Sequence, residues 1–435
     1  MKEVCYSLNP AISKPNYRLL LKHNADFRYL WLARASSVFG DSLYNLAISW
    51  LVYSMTGSSL QVGLVIVAKF LPEMILGLFI GAWVDRLNKK ILMQIADAVQ
   101  ALLTVTLAVL MFTGQLQLLH IYLITVGLSI MGNLFATSQS SFLPELIADK
   151  TYLISANSLL SVSLQITRIL GTVAGGILVA SIGNSGAVIV DAATFIVSLA
   201  LIQQIKQRGK AGKNSRAANG LSIFAEIGEG WQWLRGQTAM LVLILLGTLS
   251  NIALGPSNVL PPMLIGELLE GGSGELGIFN AAIAVGLLLG GLFVGSRSPR
   301  RIGVWFSCGL GVQGLGMCVI ALSSALWPAC FGNLILGFGV TVTVIPMSTL
   351  FQLLVPSPLR GRVNSISSMA FNISIPLTYG GVGILADRIG VEVCFGLAAA
   401  LFAVCLIIGL TNHHLRSLDI QAPQSSPSPQ TSQSV

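Results

Sequence analysis

Long apolar segments separated by short polar loops dominate this chain. The first begins near Phe27, and each is long enough to cross a hydrocarbon core that needs about 20 helical residues. Twelve such spans, numbered 1 to 12 here, cover 28–54, 58–83, 91–113, 118–143, 154–181, 186–205, 239–265, 275–296, 302–324, 327–355, 361–385 and 391–412. A closed barrel would instead show alternating stretches of about ten residues. The pattern therefore predicts an all-α integral membrane protein with twelve transmembrane helices.

Short motifs recur about half a chain length apart. Gly77–Gly81 matches Gly291–Gly295 at four of five positions, with an offset of 214 residues. Ala156–Ser158 recurs as Val363–Ser365 with an offset of 207 residues. Two repeats at nearly the same offset predict two parallel six-helix repeats, related by an axis along the membrane normal.

Composition supports a membrane protein and excludes an ordinary soluble domain. Hydrophobic residues make up 54% of the chain and charged residues 10%, with a mean hydropathy of +0.77. Soluble domains carry about 25% charged residues. The formal net charge is +8, but the basic residues lie in short loops between apolar segments, as membrane topology requires. We therefore expect no nucleic-acid partner.

The distribution of Lys and Arg predicts the orientation of the chain. Basic residues occur on one side, in the N-terminal segment and in the loops near residues 86–90, 150, 206–216, 297–301, 360–362 and 416. On the other side, the short loops 56–59, 113–117 and 182–186 carry neither Lys nor Arg. Arg388, between spans 11 and 12, is the one basic residue predicted on that side. Both termini are predicted to be cytoplasmic.

These features divide the chain into five predicted regions. They are a cytoplasmic segment (1–26), an N-terminal six-helix bundle (27–205), a basic linker with an amphipathic helix (206–236), a C-terminal six-helix bundle (237–412) and a disordered cytoplasmic tail (413–435).

Charged residues inside the spans concentrate in the first half. Arg34, Asp41 and Asn45 are spaced by seven and four residues, which places them on one face of span 1. A polar stripe on an apolar helix is expected to face a water-filled cavity or another helix rather than lipid. Asp97 in span 3 and Asp191 in span 6 lie near opposite membrane faces, which favours packing or capping roles over coupling.

Asp41, Lys69 and Arg168 are predicted to lie at one depth. Each is 13 or 14 residues from the end of its span on the basic side, or about 20 Å at 1.5 Å per residue. Two interpretations remain open: an ion-coupling site, and a structural cluster that holds spans 1, 2 and 5 together. Lys69 also lies four residues before Glu73 and can pair with it within span 2.

A ten-residue motif follows span 2. Gly81–Lys90 reads Gly-Ala-Trp-Val-Asp-Arg-Leu-Asn-Lys-Lys and resembles the signature G-x3-D-R-x-x-[RK]-[RK] between helices two and three of the major facilitator superfamily, with Asn88 where glycine is common. Other motifs resemble the bacterial macrolide-efflux and enterobactin-exporter-like branch: Phe27-Arg28, Leu32–Arg34, Gly40-Asp41, Phe142–Leu146, Asp191–Phe195 and Gly361–Val363.

The resemblance implies a gate on the cytoplasmic side. In that superfamily the acid of the motif, here Asp85, docks against the start of helix eleven, here Gly361-Arg362. A helix N-terminus carries about half a positive charge, so the contact is physically reasonable. The repeat offset of 214 residues makes Pro299 the equivalent of Asp85 in the second half, which therefore lacks this acid. The gating motif is Gly81, Asp85, Arg86, Lys89 and Lys90, with Gly361 and Arg362. The alternative for Asp85 is a solvated loop acid.

The resemblance further implies a transporter. The sequence contains no ATP-binding GxxxxGK[ST] motif, which favours a secondary transporter over one driven directly by ATP, and it contains no catalytic triad or metal-ligand set. We expect proton-coupled export of amphipathic small molecules by alternating access, without a cofactor. The expected partners are a small-molecule substrate, protons and membrane lipids, with a monomeric chain in a bacterial inner membrane. The alternatives are a lysophospholipid flippase of the same fold, a membrane enzyme acting on lipid, and a non-transporting sensor.

Overall fold

The computed structural model describes residues 20–22, 24–147, 152–206, 220–297, 301–356 and 359–416 of the 435-residue chain. Several side chains inside these ranges, including those of Glu73 and Asp85, also lie outside the description. Most of the predicted regions 1–26 and 413–435 falls outside the described residues, as do 207–219 of the predicted linker and Pro299.

All regular elements within the described ranges are helical, and the all-α prediction is confirmed. Helices α1 to α5 cover Ala25–Thr56, Ser59–Arg86, Lys89–Phe112, Leu118–Leu146 and Leu153–Gln203. Helices α6 to α9 cover Gly220–Arg235, Thr238–Ala253, Gly255–Val259 and Pro261–Met263, and a π-helical turn follows at Leu264–Leu268. Helices α10 to α15 cover Ser273–Gly295, Ile302–Ala321, Leu326–Leu354, Arg360–Ile389, Val391–Thr411 and His413–Arg416.

Helix length and composition in the described part of the chain do not by themselves account for all twelve predicted spans. Among the described residues, nine helices are long and apolar enough to cross a membrane, or ten if α6 and α7, which meet at a bend of 107°, form one span. The 51-residue helix α5 contains two of the predicted spans. Helix α1 is 32 residues long but carries four charged residues, which lower its hydropathy. The count of twelve stays a prediction.

Large apolar side chains on the outside of these helices agree with a lipid environment. Leu322 is 80% exposed and Leu377 is 74% exposed, and many other leucines, isoleucines and phenylalanines are exposed as well. In water such an extensive apolar surface would cause aggregation. These faces are therefore expected to contact lipid tails.

The chain forms two compact units, and their bounds differ from the predicted halves. The first unit combines Met1–Ala218 with two segments of the second half, Pro256–Ala281 and Ile375–Val391. The second unit takes Asn219–Gly255, Ala282–Ser374 and Glu392–Val435. Contacts in space thus group parts of α10 and α13 with the first five helices, while the predicted repeat boundaries stay a prediction.

A sharp kink divides α5 into two arms that both pack on α1. Gly183 at the kink has φ 74°, a left-handed backbone angle that favours glycine. On the first arm, a Cβ at Gly171 would lie 2.7 Å from Cβ of Ser42. On the second arm, Oγ1 of Thr194 lies within 2.0 Å of the position that a Cβ at Gly40 would take. Helix α1 therefore lies against both arms, which places its polar stripe inside the first unit.

Two apolar clusters lie at opposite ends of the first unit. At the end that carries the start of α1, Phe27, Leu30, Phe135 and Phe142 are fully buried or nearly so. At the other end a second cluster combines residues of α1 to α5, among them Tyr44, Ile48, Val62, Leu107, Ile121 and Val188. We call these the basic end and the opposite end, because the Lys89-Lys90 pair lies at the former. The predicted polar residues lie between the two clusters.

Capping interactions fix the helix termini at the basic end. The side chain of Asn24 accepts a hydrogen bond from the backbone N–H of Phe27 at 2.9 Å, and donates one to the carbonyl of Leu146 at 2.9 Å. One side chain thus caps the start of α1 and the end of α4, satisfying groups that helix termini leave unpaired.

The second unit is built mainly from α11, α12 and α14. Phe306, Leu310 and Met317 of α11 are fully buried, and the side-chain amide of Gln313 donates to Oγ1 of Thr343 on α12 at 2.7 Å. The described residues of this unit also line a cavity of about 360 Å³ between α12 and α13, and its wall includes Phe351, Arg360 and Phe371.

Candidate functional site

A polar cavity of about 510 Å³ lies inside the first unit, between the two apolar clusters. Its described lining comes from all five helices α1 to α5: Arg34, Asp41, Tyr44, Asn45, Lys69, Gln100, Thr125, Leu128, Ser129, Gly132, Asn133, Ala136, Thr137, Ser140 and Arg168. In a membrane-spanning bundle, so many polar groups in one place indicate a water-filled site rather than a packed core.

The stripe on α1 supplies three of these groups. The guanidinium of Arg34 lies 5.3 Å from the ring centroid of Phe135, a cation–π distance. Asp41 lies two turns further along α1, within electrostatic range of Arg34, Lys69 and Arg168. Because Phe135 holds Arg34 on one side, the guanidinium has a fixed position at the wall of the cavity.

Helix α2 contributes Lys69 opposite the stripe. The Lys69 ammonium donates a hydrogen bond to Oδ1 of Asn45 at 2.8 Å, and the backbone carbonyl of Lys69 accepts a hydrogen bond from the Ser129 hydroxyl of α4. These two contacts join α2 to α1 and to α4 at the level of the cavity. Lys69 is therefore held by its neighbours, with its charge directed into the cavity lining.

A second cavity of about 350 Å³ lies in the same unit and shares two wall residues with the first, Asn45 and Arg168. Ser42, Ser49 and Thr172 lie on its α1 and α5 sides. The rest of its described lining is Leu46, Ser257, Asn258, Pro261, Pro262, Leu276 and Asn280. The shared residues place Arg168 at the boundary between the two cavities.

Two acids are buried in the helix packing behind the first cavity. Asp97 of α3 is fully buried and accepts a hydrogen bond at 2.7 Å from the hydroxyl of Ser198 on α5. Asp191 is 1% exposed, and one of its oxygens lies 2.4 Å from the position a Cβ at Gly40 would take. Neither Asp191 oxygen accepts a hydrogen bond from the described residues. Both acids lie within electrostatic range of Asp41.

The structure brings most of the predicted coupling residues together. Five of them line one cavity: Arg34, Asp41, Asn45, Lys69 and Arg168. The sixth, Glu73, lies on α2 but its side chain is outside the described set. Sequence reasoning did not single out Tyr44, whose hydroxyl lies 3.1 Å from that of Thr125, or Gln100. Polar residues in otherwise apolar spans were the available signal for both.

The basic motif holds three helices at the basic end. Asn88, which stands where glycine is common, caps α3 by accepting hydrogen bonds from the N–H groups of Lys90 and Ile91. Lys89, only 8% exposed, forms an ion pair with Glu145 of α4 at 2.5 Å. The Lys90 ammonium donates to the backbone carbonyls of Gln203, the last residue of α5, at 3.1 Å and of Ile205 at 2.6 Å. The motif therefore joins α3 to α4 and α5.

The remaining gating residues lie in two places. Arg86 is exposed and is the last residue of α2, which therefore ends three residues beyond the predicted end of span 2. The predicted docking of Asp85 concerns a side chain outside the description, so it stays a prediction. In the second unit, Arg362 in the first turn of α13 forms an ion pair with Glu229 of α6.

A contact at the opposite end of the first unit was not predicted. Asp387, near the end of α13, accepts hydrogen bonds from the Ser58 hydroxyl at 2.7 Å and from the N–H groups of Ser59 and Leu60 at 2.9 and 3.3 Å. Ser58 is the N-cap residue of α2, so Asp387 caps this helix from another part of the chain. We call this contact the Asp387 latch.

A second close approach lies at the same end. A Cβ at Gly176 of α5 would lie 2.2 Å from Cα of Gly277 on α10, so the two backbones touch where neither residue has a side chain. Among the described residues, no group of three or more His, Cys, Asp or Glu side chains is arranged to hold a metal.

A multi-pass helical bundle with a charged cavity in its interior is typical of a membrane transporter. The model of one family, transmembrane secretion effectors, matches residues 21–435, and the chain belongs to that family within the major facilitator superfamily. The predicted resemblance is thereby confirmed over nearly the whole chain.

Similar proteins include efflux pumps. Macrolide efflux protein A of Streptococcus pyogenes is 25% identical over 399 residues, covering 91% of this chain and 98% of that protein. The multidrug efflux pump Tap of Mycolicibacterium fortuitum is 27% identical over 391 residues, covering 88% and 94%. Among solved structures, a bacterial homologue of the iron transporter ferroportin in an inward-facing state aligns with a TM-score of 0.71 and 17% identity, covering 92% and 100%. That similarity supports the fold alone.

Proposed function

We propose that the protein exports amphipathic small organic molecules from the cell in exchange for protons. The observation that carries this proposal is a cavity inside the first unit in which one acid, Asp41, faces basic residues including Lys69 and Arg168. An acid surrounded by bases can exchange a proton when the cavity changes its exposure to water. The efflux functions named for the similar proteins support export over import.

The proposed cycle is alternating access by rocking of the two six-helix halves. Asp41 takes up a proton from outside as the substrate leaves the cavity, and releases it to the cytoplasm before the next substrate binds. The Asp387 latch and the Gly176–Gly277 contact close the opposite end of the first unit in this cycle. Opening that end requires both contacts to break, and each is small enough to be broken repeatedly.

The basic end is proposed to face the cytoplasm of a bacterium, with the protein in the inner membrane. Positively charged loops remain on the cytoplasmic side, and Arg86, Lys89 and Lys90 lie at this end. Membrane lipids surround the apolar faces, and we propose that one chain suffices for transport because the described cavities form within a single unit.

The test is transport by purified protein in liposomes with an imposed pH gradient, using two fluorescent amphipathic dyes, one with an anionic and one with a cationic head group. We expect Asp41→Asn to lower gradient-driven transport at least tenfold while leaving the amount of folded protein unchanged. The matched control is Asp26→Asn, because Asp26 lies on the same helix at the basic end, where it accepts a hydrogen bond from the N–H of Lys206. Full gradient-driven transport by Asp41→Asn would contradict the coupling role.

A further inference from the structure

The two cavities of the first unit meet at Arg168. This arginine and Asn45 line both, so a molecule in either cavity lies beside the same guanidinium. Arg168 comes from the first arm of α5, 15 residues before the kink at Gly183, and its side chain is exposed to the cavity space. Arg168 is therefore part of the wall of both cavities.

The charges of the described lining are unequal. Across both cavities there are three basic side chains, Arg34, Lys69 and Arg168, and one acid, Asp41. In the second cavity Arg168 is the single charge among the described lining residues, and the other polar groups are hydroxyls and side-chain amides. Positive charge thus exceeds negative charge among the described side chains that a substrate would touch, since the two other acids, Asp97 and Asp191, are buried behind the wall.

An excess of positive charge inside a membrane bundle has a direct chemical consequence. Charges in a low-dielectric site interact more strongly than in water, so an anion is attracted and a cation is repelled. A guanidinium presents a planar set of donors that matches phosphate and carboxylate groups. The side-chain NH2 groups of Asn45, whose Oδ1 accepts from Lys69, and of Asn280 suit the remaining oxygens of such a group.

We propose that the transported amphiphile carries an anionic head group, a phosphate or a carboxylate, and that Arg168 binds it. The inference rests on the proposed transport function and assigns its substrate class. Leu46, Leu276 and the Pro261-Pro262 pair supply apolar wall beside Arg168 for the rest of the molecule. Amphiphiles of the same size with a cationic head group bind more weakly, because the excess positive charge repels them.

The experiment measures binding to the full-length protein in nanodiscs with four naphthalene probes that differ in head group: 1-naphthyl phosphate, 1-naphthylacetate, 1-naphthalenemethanol and 1-naphthylmethylammonium. We expect both anions to bind at least tenfold more tightly than the neutral probe, and the cation to bind more weakly than the neutral probe. A charge-assisted hydrogen bond has the strength needed for this difference. Lysophosphatidate in a competition arm determines whether a lipid head group uses the same site.

Variants assign the effect to Arg168. Arg168→Gln is expected to weaken both anions at least tenfold and to leave the neutral probe within twofold, while Arg168→Lys retains most of the preference. The control is Arg28→Gln, because Arg28 is an exposed arginine of the same bundle that lies beside the ring of Tyr29 at the start of α1. Displacement of the bound naphthyl anions by lysophosphatidate would show that lipids with the same head-group chemistry use the site, and no displacement would restrict it to free anions.

Two results overturn the proposal. One is a cation that binds as tightly as the anions, and the other is an Arg168→Gln variant that weakens all four probes equally. If this variant is poorly folded, the order in which the wild-type protein binds the four probes (anions most tightly, cation most weakly) still tests the proposal. Failure of the transport function itself has a different signature, because anion binding would persist while a pH gradient moves none of the probes in liposomes.

Discussion

Replacing Asp387 with asparagine is expected to open the opposite end of the first unit more often. The carboxylate caps α2 through three hydrogen bonds from Ser58, Ser59 and Leu60. Asparagine keeps one acceptor oxygen but loses the negative charge that interacts with the helix N-terminus. The variant therefore tests whether this contact stabilises the closed arrangement or is only a surface hydrogen bond.

The magnitude follows from the geometry. An exposed carboxylate at a helix N-terminus contributes about 0.3–1 kcal/mol, and charge-assisted hydrogen bonds are about twice as strong as neutral ones. We take a loss of about 1 kcal/mol for Asp387→Asn. Since tenfold in an equilibrium constant corresponds to about 1.4 kcal/mol, the open fraction should rise roughly fivefold.

The assay is the rate at which a cysteine in the second cavity reacts with a membrane-impermeant thiol reagent added to intact cells. Ser49→Cys, introduced into a variant that lacks the six native cysteines, places the reporter in the cavity lining. The labelling rate is proportional to the open fraction when opening is fast relative to the reaction. We expect about a fivefold higher rate with Asp387→Asn than with Asp387 intact.

The control is Glu392→Gln, which removes an exposed acid in the first turn of α14, only five residues further along the chain. This substitution should leave the labelling rate within twofold. Ser58→Ala should raise the rate less than Asp387→Asn, and the double variant should add little, because both remove parts of one contact. Equal labelling rates for Asp387→Asn and Glu392→Gln would refute the reasoning.

Two further predictions concern the ends of the first unit. Lys89→Gln should lower the free energy of unfolding by about 1–3 kcal/mol, because it leaves the partly buried Glu145 without its ion pair to Lys89. Thermal unfolding in detergent measures this loss. The double variant with Glu145→Gln should recover part of it. Gly277→Ala should reduce transport strongly, because a Cβ there would lie 2.3 Å from Cα of Gly176, whereas Gly77→Ala, which meets no atom within 4 Å, should not. An undiminished transport rate for Gly277→Ala would show that this close approach is not needed.

The sequence determined the helices and the class of protein. Apolar length predicts the spans, and the two spans 154–181 and 186–205 correspond to the arms of α5 on either side of Gly183. The positions of Arg34, Asp41 and Asn45 on one face of α1 follow from helical periodicity, and the motif Gly81–Lys90 pointed to the family. Each of these inferences depends on neighbouring residues along the chain, so no knowledge of tertiary contacts was needed.

Only the tertiary structure decided which polar residues meet. Lys89 and Glu145 are 56 residues apart, and Ser58 and Asp387 are 329 apart. It also decided that Lys69 and Arg168 line the same cavity as Asp41, whereas the sequence predicted only a common depth for the three. The physical reason is that lipid and bundle interior both accept apolar side chains, so hydropathy along a span does not show which face turns inward. Helix rotation is set by packing, as at Gly40 and Gly171 against α1, and packing depends on contacts far apart in the chain.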